Sequence, residues 1–389
     1  MNEVFTVYLA RNDIAGEAHA MLELPALPYA LRDAMDKVRL REGDELFVQI
    51  ESYHCCGFLS ALPLKAPDLH GLNILAGKLS ELGAQELKKF EGLVKISVGD
   101  GNEALSVESL IEIASSTPSA TLIPVSSDEE LGKYFVKSGM IPALKDLPET
   151  AWDMLDYDKI GFVRRNLEGG VFLDDGRSYV MKSYELQPLY SQIDYMLEEP
   201  DYTVMLRANV LNHEEPLLLK LPASLAEIDA ALDHSPAVSW ECVDCSVPAL
   251  CKLLSEAESL DIVCETAAVL ETIPEKNLPK YKALLEAEGF YSLGEALSLI
   301  DHLDEYLLSP QYSTPEEIAV DNLCMTLDER ERETLLPFVD LHAYGQKLLE
   351  EQETILTDYG AFERCDSQPL QRQTEENTPS QGGMEMEGF

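Results

Sequence analysis

Three cysteines, Cys242, Cys245 and Cys251, stand close together in the sequence, with Cys264 further on. Thiolates at such spacing are the soft ligand set that zinc takes. A structural zinc site wants four ligands on well-separated knuckles, and here two of the cysteines lie in WECVDC (240–245), a stretch that alternates like a strand. Buried thiols are therefore the reading, and no metal is expected. Carboxylates are the other chemistry in abundance. Glu129-Glu130, Glu316-Glu317 and Glu350-Glu351 recur as acidic pairs, which singly read as solvated helix faces. The chain has no GxxxxGK[ST], no GxGxxG opening a helix, no HExxH, no GxSxG and no EF-hand loop. Its His and Cys form no nucleophile–base pair. The chain reads as no enzyme, without catalytic residues and without a cofactor.

The charge balance points elsewhere. The 389 residues hold 71 Asp and Glu against 29 Lys and Arg, a net charge of −42. With 46% hydrophobic residues, the composition is that of a folded chain. Such a surface repels nucleic acid, whose grip on proteins rests on Lys and Arg meeting phosphates, and it disfavours anionic membranes equally. No apolar run approaches the length of a membrane span, and MNEVFTVYLARND lacks the basic start and apolar stretch of a secretory signal. Eight cysteines in this length fit reduced thiols in a cytoplasm better than a secreted disulfide framework. The charge is uneven: residues 1–195 hold 31 acids and 18 bases, residues 196–389 hold 40 acids and 11 bases.

The chain also repeats itself. Residues 4–36 align with 201–233 over 33 positions without a gap, with 11 identities, where about two arise by chance. The match continues through LSELGAQELKKFEGLVK (79–95) with LETIPEKNLPKYKALLE (270–286), DEELGKYF (128–135) with PEEIAVDN (315–322), LDYDKIG (155–161) with VDLHAYG (339–345), and GGVFLDDG (169–176) with ETILTDYG (353–360). The expected fold class is α+β, an elongated tandem repeat of a three-module unit.

Each unit opens with a strand, a turn, a short helix introduced by Pro28 or Ser224, and a further strand. A helical part follows, with Leu72, Leu75, Leu79 and Leu82, then Phe90 and Leu93, Leu110 and Ile111, and Leu131 and Phe135 at helical spacing; four short helices in a bundle is the economical arrangement. A small α+β module closes the unit, its Asp174-Asp175-Gly176 giving a hairpin signal. The boundaries are 1–68, 69–140 and 141–195 for the first unit and 196–260, 261–325 and 326–365 for the second. A tail over 366–389 is rich in Gln, Glu, Ser, Pro and Gly and reads as disordered.

These residues resemble the ArdA antirestriction proteins. The resemblance lies in the order of LELP (22–25), LNILAGKLSEL (72–82), EELGKYF (129–135) and DYDKIGFVRRNLEGGVFLDDGRSYV (156–180). It covers nearly all of the first unit and, more loosely, the second. It implies a cytoplasmic B-DNA mimic carried on a mobile genetic element. Such a protein occupies the DNA-binding groove of a type I restriction-modification enzyme and has no catalytic site. The chain departs from the family in carrying two units, so it is expected to be a monomeric pseudo-dimer or a homodimer. It departs again at Arg164-Arg165, where Leu348-Leu349 align.

The charge argument is independent of that resemblance. Forty-two charges equal those on roughly 71 Å of duplex, about 21 base pairs. The partner would be an enzyme with a basic groove. Asp156, Asp158, Asp174 and Asp175, with Asp340 and Asp358, lie in the best-matched motif, and Glu316, Glu317, Asp328, Glu329, Glu331 and Glu333 form the acidic block of the second unit. These twelve are the candidate contact residues. Two other classes stay open: an acidic adaptor that binds a basic protein unrelated to restriction, and a carboxylate enzyme.

Overall fold

The computed structural model describes residues 3–11, 18–41, 43–62, 68–99, 105–144, 148–182, 199–211, 213–366, 368 and 370. Among them the fold is α+β, with helices interleaved among four three-stranded sheets. Strand β1 (Phe5–Arg11) is central in the first sheet, between β2 (His19–Leu24) and β3 (Leu46–Ser52). Strand β2 is absent from the sequence reading, which has only a turn there. Its signal is strict alternation: Ala20, Leu22 and Leu24 are buried while His19, Met21 and Glu23 are exposed. Helix α1 (Pro28–Val38) starts on Pro28, whose fixed φ suits a first helical turn, and ends at Arg39 in the left-handed region.

The chain divides into two compact units. One comprises Met1–Val7, Glu23–Ala26 and Val48–Leu197, the other Tyr8–Leu22, Leu27–Phe47 and Glu198–Phe389. In the first, α2 (Leu69–Ser80), α3 (Ala84–Gly99) and α4 (Val107–Ser115) pack together through Leu72, Leu75, Phe90, Leu93, Leu110 and Ile111. The expected fourth helix, α5 (Asp128–Lys137), does not join them. It packs on α7 (Tyr157–Glu168), which follows the single turn α6 (Glu149–Trp152). The reason is a strand that falls inside the expected helical module 69–140: β4 (Ala120–Ile123) pairs with β6 (Tyr179–Lys182), and β6 pairs with β5 (Val171–Phe172). The closing module thus begins near residue 120, with Ile123, Leu131, Phe135 and Tyr179 as its core. The hairpin expected at Asp174-Asp175-Gly176 is present, Gly176 taking a φ of 62°.

In the other unit, β7 (Val204–Val210) lies between β8 (Leu217–Leu221) and β9 (Ala237–Cys245). Helix α8 (Leu225–Ala231) intervenes and opens with a capping box made by Ser224 and Glu227. A bulge in β9 sets Met205 opposite Asp244 but Leu206 opposite Cys242, so Asp244 and Cys245 both end up buried. Next come α9 (Cys251–Ser255), α10 (Leu260–Glu271), α11 (Leu278–Glu288) and α12 (Leu293–Ser298), whose apolar faces share one core with the sheet. The last sheet has β12 (Gly360–Arg364) between β10 (Tyr306–Ser309) and β11 (Ile355–Thr357). Helix α13 (Pro315–Thr326) packs on α15 (Leu341–Glu351), with α14 (Glu329–Leu335) between them in sequence.

The two closing modules share a packing device. A Cβ on Gly161 of α7 would collide with the carbonyl of Asp128, and one on Gly345 of α15 with the carbonyl of Pro315. Only glycine lets each helix pair approach that closely. The tail differs from expectation at its start. Asp366 binds Arg364, and Leu370 is fully buried in the core. Removing that apolar side chain from water favours its place in the core. Residues 371–389, and the link at 191–198, lie outside the described residues.

Candidate partner-binding surface

The twelve candidate acids fall into three groups by what holds them. The first group caps helices. Asp156 accepts from the Lys159 amide (3.1 Å) and Asp340 from the Ala343 amide (3.0 Å), at aligned positions of α7 and α15. Asp328 and Glu331 form a capping box on α14, the Glu331 amide donating to Asp328 over 2.8 Å. Each is exposed, so its charge still faces solvent while one oxygen holds the helix end.

The second group is paired with bases. Asp174 lies 2.8 Å from Lys95 and Asp175 2.8 Å from Lys88. Asp175 also accepts from Ser178 Oγ and the Arg177 amide. The Lys88 and Ser178 hydrogen bonds hold its carboxyl well below the usual carboxylate range. Glu317 takes Arg11 at 3.3 Å and Arg41 at 3.5 Å while completing the capping box of Thr314 on α13. Asp358 lies 3.1 Å from Lys37, and Glu316 lies 2.8 Å from His342 Nδ1. A backbone hydrogen bond, and then His342, lowers the Glu316 pKa.

The third group is unengaged. Asp158, Glu329 and Glu333 are exposed and have no hydrogen-bond or ion-pair partner among the described residues. Glu329, Glu331 and Glu333 lie on α14 with Asp328 capping its start, and none of the four has a base paired to it among the described residues.

The cation supply explains this sorting. Helix α1 and the residues after it carry Arg32, Lys37, Arg39 and Arg41, and all four are spent inside their own compact unit. Arg32 meets Glu275 (3.0 Å), Lys37 meets Asp33 and Asp358, and Arg41 meets Glu317. Arg39 donates to the carbonyls of Pro310 and Tyr312 and to Ser313 Oγ; burial brings its pKa down to about 10. Beneath them is a cluster that sequence reasoning missed. Lys282, 4% exposed, lies 2.9 Å from both Asp33 and Asp36, and Tyr359 donates to Asp33 over 2.8 Å. Burial raises the Asp36 carboxyl; at Asp33 the same burial is outweighed by Lys282 and Lys37, and its pKa falls. The available signal was a lysine inside YKALLEAE, an otherwise apolar-faced run of α11.

Arg164 and Arg165, the departure from the resembled pattern, are also neutralised locally. Arg164 pairs with Glu168 (3.1 Å) and Arg165 with Asp128 (3.0 Å). Their guanidinium groups lie over Phe135 and Phe172 at 5.2 and 5.6 Å, where the aligned Leu348 and Leu349 are simply buried in their own core. A planar cation over aromatic rings does the covering that leucine does in the other module.

All eight cysteines are free thiols, and no group of three or more His, Cys, Asp or Glu able to hold a metal occurs among the described residues. Hydrogen bonds with the Cys245 and Cys251 thiols, and then burial, raise Cys242, and burial raises Cys245. No described helix is long and apolar enough to cross a membrane. Comparison with models of known protein families finds no match, and no curated protein matches the chain.

Proposed function

We propose that the protein is an antirestriction protein of the DNA-mimic kind, which occupies the DNA-binding groove of a type I restriction-modification enzyme with its carboxylates. The observation that carries the reading is the net charge of −42 on a folded chain. The three exposed acids of α14 and its cap Asp328, unpaired by any base among the described residues though Arg330 and Arg332 alternate with them, supply a local example of that charge. The sequence resemblance to ArdA proteins supports the same reading. Recurrence of one sheet order in β2-β1-β3 and β8-β7-β9, and of another in β4-β6-β5 and β10-β12-β11, supports two copies of one unit. A carboxylate display competes for a cationic groove through complementary potential, and its association is steered electrostatically.

Both restriction and modification need the same groove. The purified protein is therefore expected to inhibit cutting and methylation by a type I enzyme in parallel, with duplex DNA displacing it. If several such enzymes bind DNA normally at excess protein and low salt, the reading fails. A stable complex with some other basic protein, indifferent to competing duplex, would favour an acidic adaptor instead.

A further inference from the structure

Cys242, Cys245 and Cys251 come together in the second compact unit, where helix α9 packs on strand β9. Each of the three thiols hydrogen-bonds the other two. The backbone holds this arrangement independently of the sulfurs. Ser255 Oγ accepts from the Cys242 amide at 2.9 Å and donates to the Cys251 carbonyl at 2.8 Å, so one hydroxyl bridges the two residues. The Trp240 indole donates to the Leu254 carbonyl at 3.0 Å and ties the same helix to the same strand. The Val247 amide donates to Cys245 Sγ at 3.4 Å, which fixes the third sulfur.

The three differ in access and in charge. Cys245 is fully buried and Cys242 nearly so, while Cys251 is half-buried. The Cys242 and Cys245 thiols both donate to Cys251 and hold it well below the usual thiol range. The thiolate is the nucleophile of sulfur chemistry. A reactive sulfur with some access to solvent thus touches two protonated sulfurs behind it. An oxidised cysteine beside a second thiol is drawn off as a disulfide before it can be oxidised further.

We propose that this cluster is an oxidation site for hydroperoxides, at which Cys251 takes the peroxide and Cys242 closes a disulfide onto it. In the first step the Cys251 sulfur attacks a peroxide oxygen. An S–O bond forms, the O–O bond breaks, and the alkoxide or hydroxide that leaves takes up a proton from solvent. Cys251 is oxidised to a sulfenic acid and the peroxide is reduced. In the second step the Cys242 sulfur attacks the Cys251 sulfur. An S–S bond forms, the S–O bond breaks, and the hydroxide leaves as water with the Cys242 proton. Cys242 resolves rather than Cys245, because the Ser255 hydroxyl holds its backbone to that of Cys251 and its sulfur is less enclosed. The bond joins strand to helix where hydrogen bonds already hold them. The site stands apart from the antirestriction reading, and its test needs no restriction enzyme.

The test is peptide mapping by mass spectrometry of the full chain, fully reduced, treated under native conditions with an equimolar amount of hydrogen peroxide, and then alkylated. Cys242 and Cys251 are expected to be the first pair recovered as a disulfide. In Cys242→Ser, dimedone should trap Cys251 as the sulfenic acid, and in Cys251→Ser, Cys242 should stay reduced. Before oxidation, iodoacetamide should alkylate Cys251 severalfold faster than Cys264, which is also half-buried but has its thiol raised by burial. The mapping of the unaltered chain decides the matter even where a variant fails to fold. A first disulfide elsewhere in the chain, a Cys251 recovered as sulfinic or sulfonic acid beside a reduced Cys242, or a bond that forms only in denaturant would overturn the proposal. So would a Cys251 alkylated no faster than Cys264, or purified protein that holds zinc on these cysteines.

Discussion

Lys282 is a base buried between two acids in the second compact unit, and its removal tests how that unit holds its charge. It faces Asp33 and Asp36 at 2.9 Å each while only 4% of its side chain is exposed. Breaking a buried pair by deleting one partner leaves the other charge desolvated, at a cost of about 3–5 kcal/mol. Lys282→Met is therefore expected to lower the stability of the folded chain by about that amount in urea denaturation. Adding Asp33→Asn and Asp36→Asn to it should restore much of the loss, since neutral groups no longer demand a counter-charge. A loss below about 1 kcal/mol in the single variant would mean that water reaches the cluster.

At the scale of elements, two expectations follow from how helices meet and what they display. Helices α7 and α15 each press a glycine against a carbonyl of the facing chain. Gly161→Ala and Gly345→Ala should each cost about 1–3 kcal/mol, the range for forcing a methyl into a packed contact. Gly294→Ala, where a Cβ meets open space inside α12, should be neutral or mildly stabilising. Comparable losses at all three positions in thermal melts would contradict the close-packing account. Helix α14 carries the expectation for function. Neutralising Glu329, Glu331 and Glu333 to Gln, with the cap Asp328 kept, should weaken inhibition by roughly tenfold, since exposed charges contribute a few tenths to 1 kcal/mol each. Neutralising Asp174 and Asp175 should weaken it less, because Lys95 and Lys88 already offset them. An equal loss from both sets in a dose–response assay would refute this.

For the whole molecule, the governing quantity is the −42 net charge set against salt. A complex made by displacing DNA from a cationic groove inherits the screening of its contacts. Inhibition is expected to weaken by about 10² or more between 50 and 200 mM salt, as protein–phosphate binding does when several contacts are lost to counter-ions. Inhibition measured by competition at these two concentrations decides it. A salt-independent complex would place its free energy in apolar contacts instead.

Composition and periodicity alone determined much of this molecule. The α+β class, the net charge, the hairpin at Asp174-Asp175-Gly176 and the helical spacing of Leu72, Leu75 and Leu79 are local properties, set by residue type and by a period of 3.6 or 2 along a few turns of chain. The strand at Ala120–Ile123 was not legible, because four residues, three of them apolar, beside a helix fit either period until β6 supplies the hydrogen bonds. The same holds for the candidate acids. Their number is in the sequence, but which remain free depends on where cations arrive from far along the chain. Arg41 reaches Glu317 and Lys37 reaches Asp358 only because tertiary packing brings the segment after β2 into the unit that holds those acids. Ion pairing acts over a few ångströms of space and is blind to separation in sequence. The tertiary structure alone therefore decided that Glu317 and Asp358 are neutralised while Glu329 and Glu333 are not.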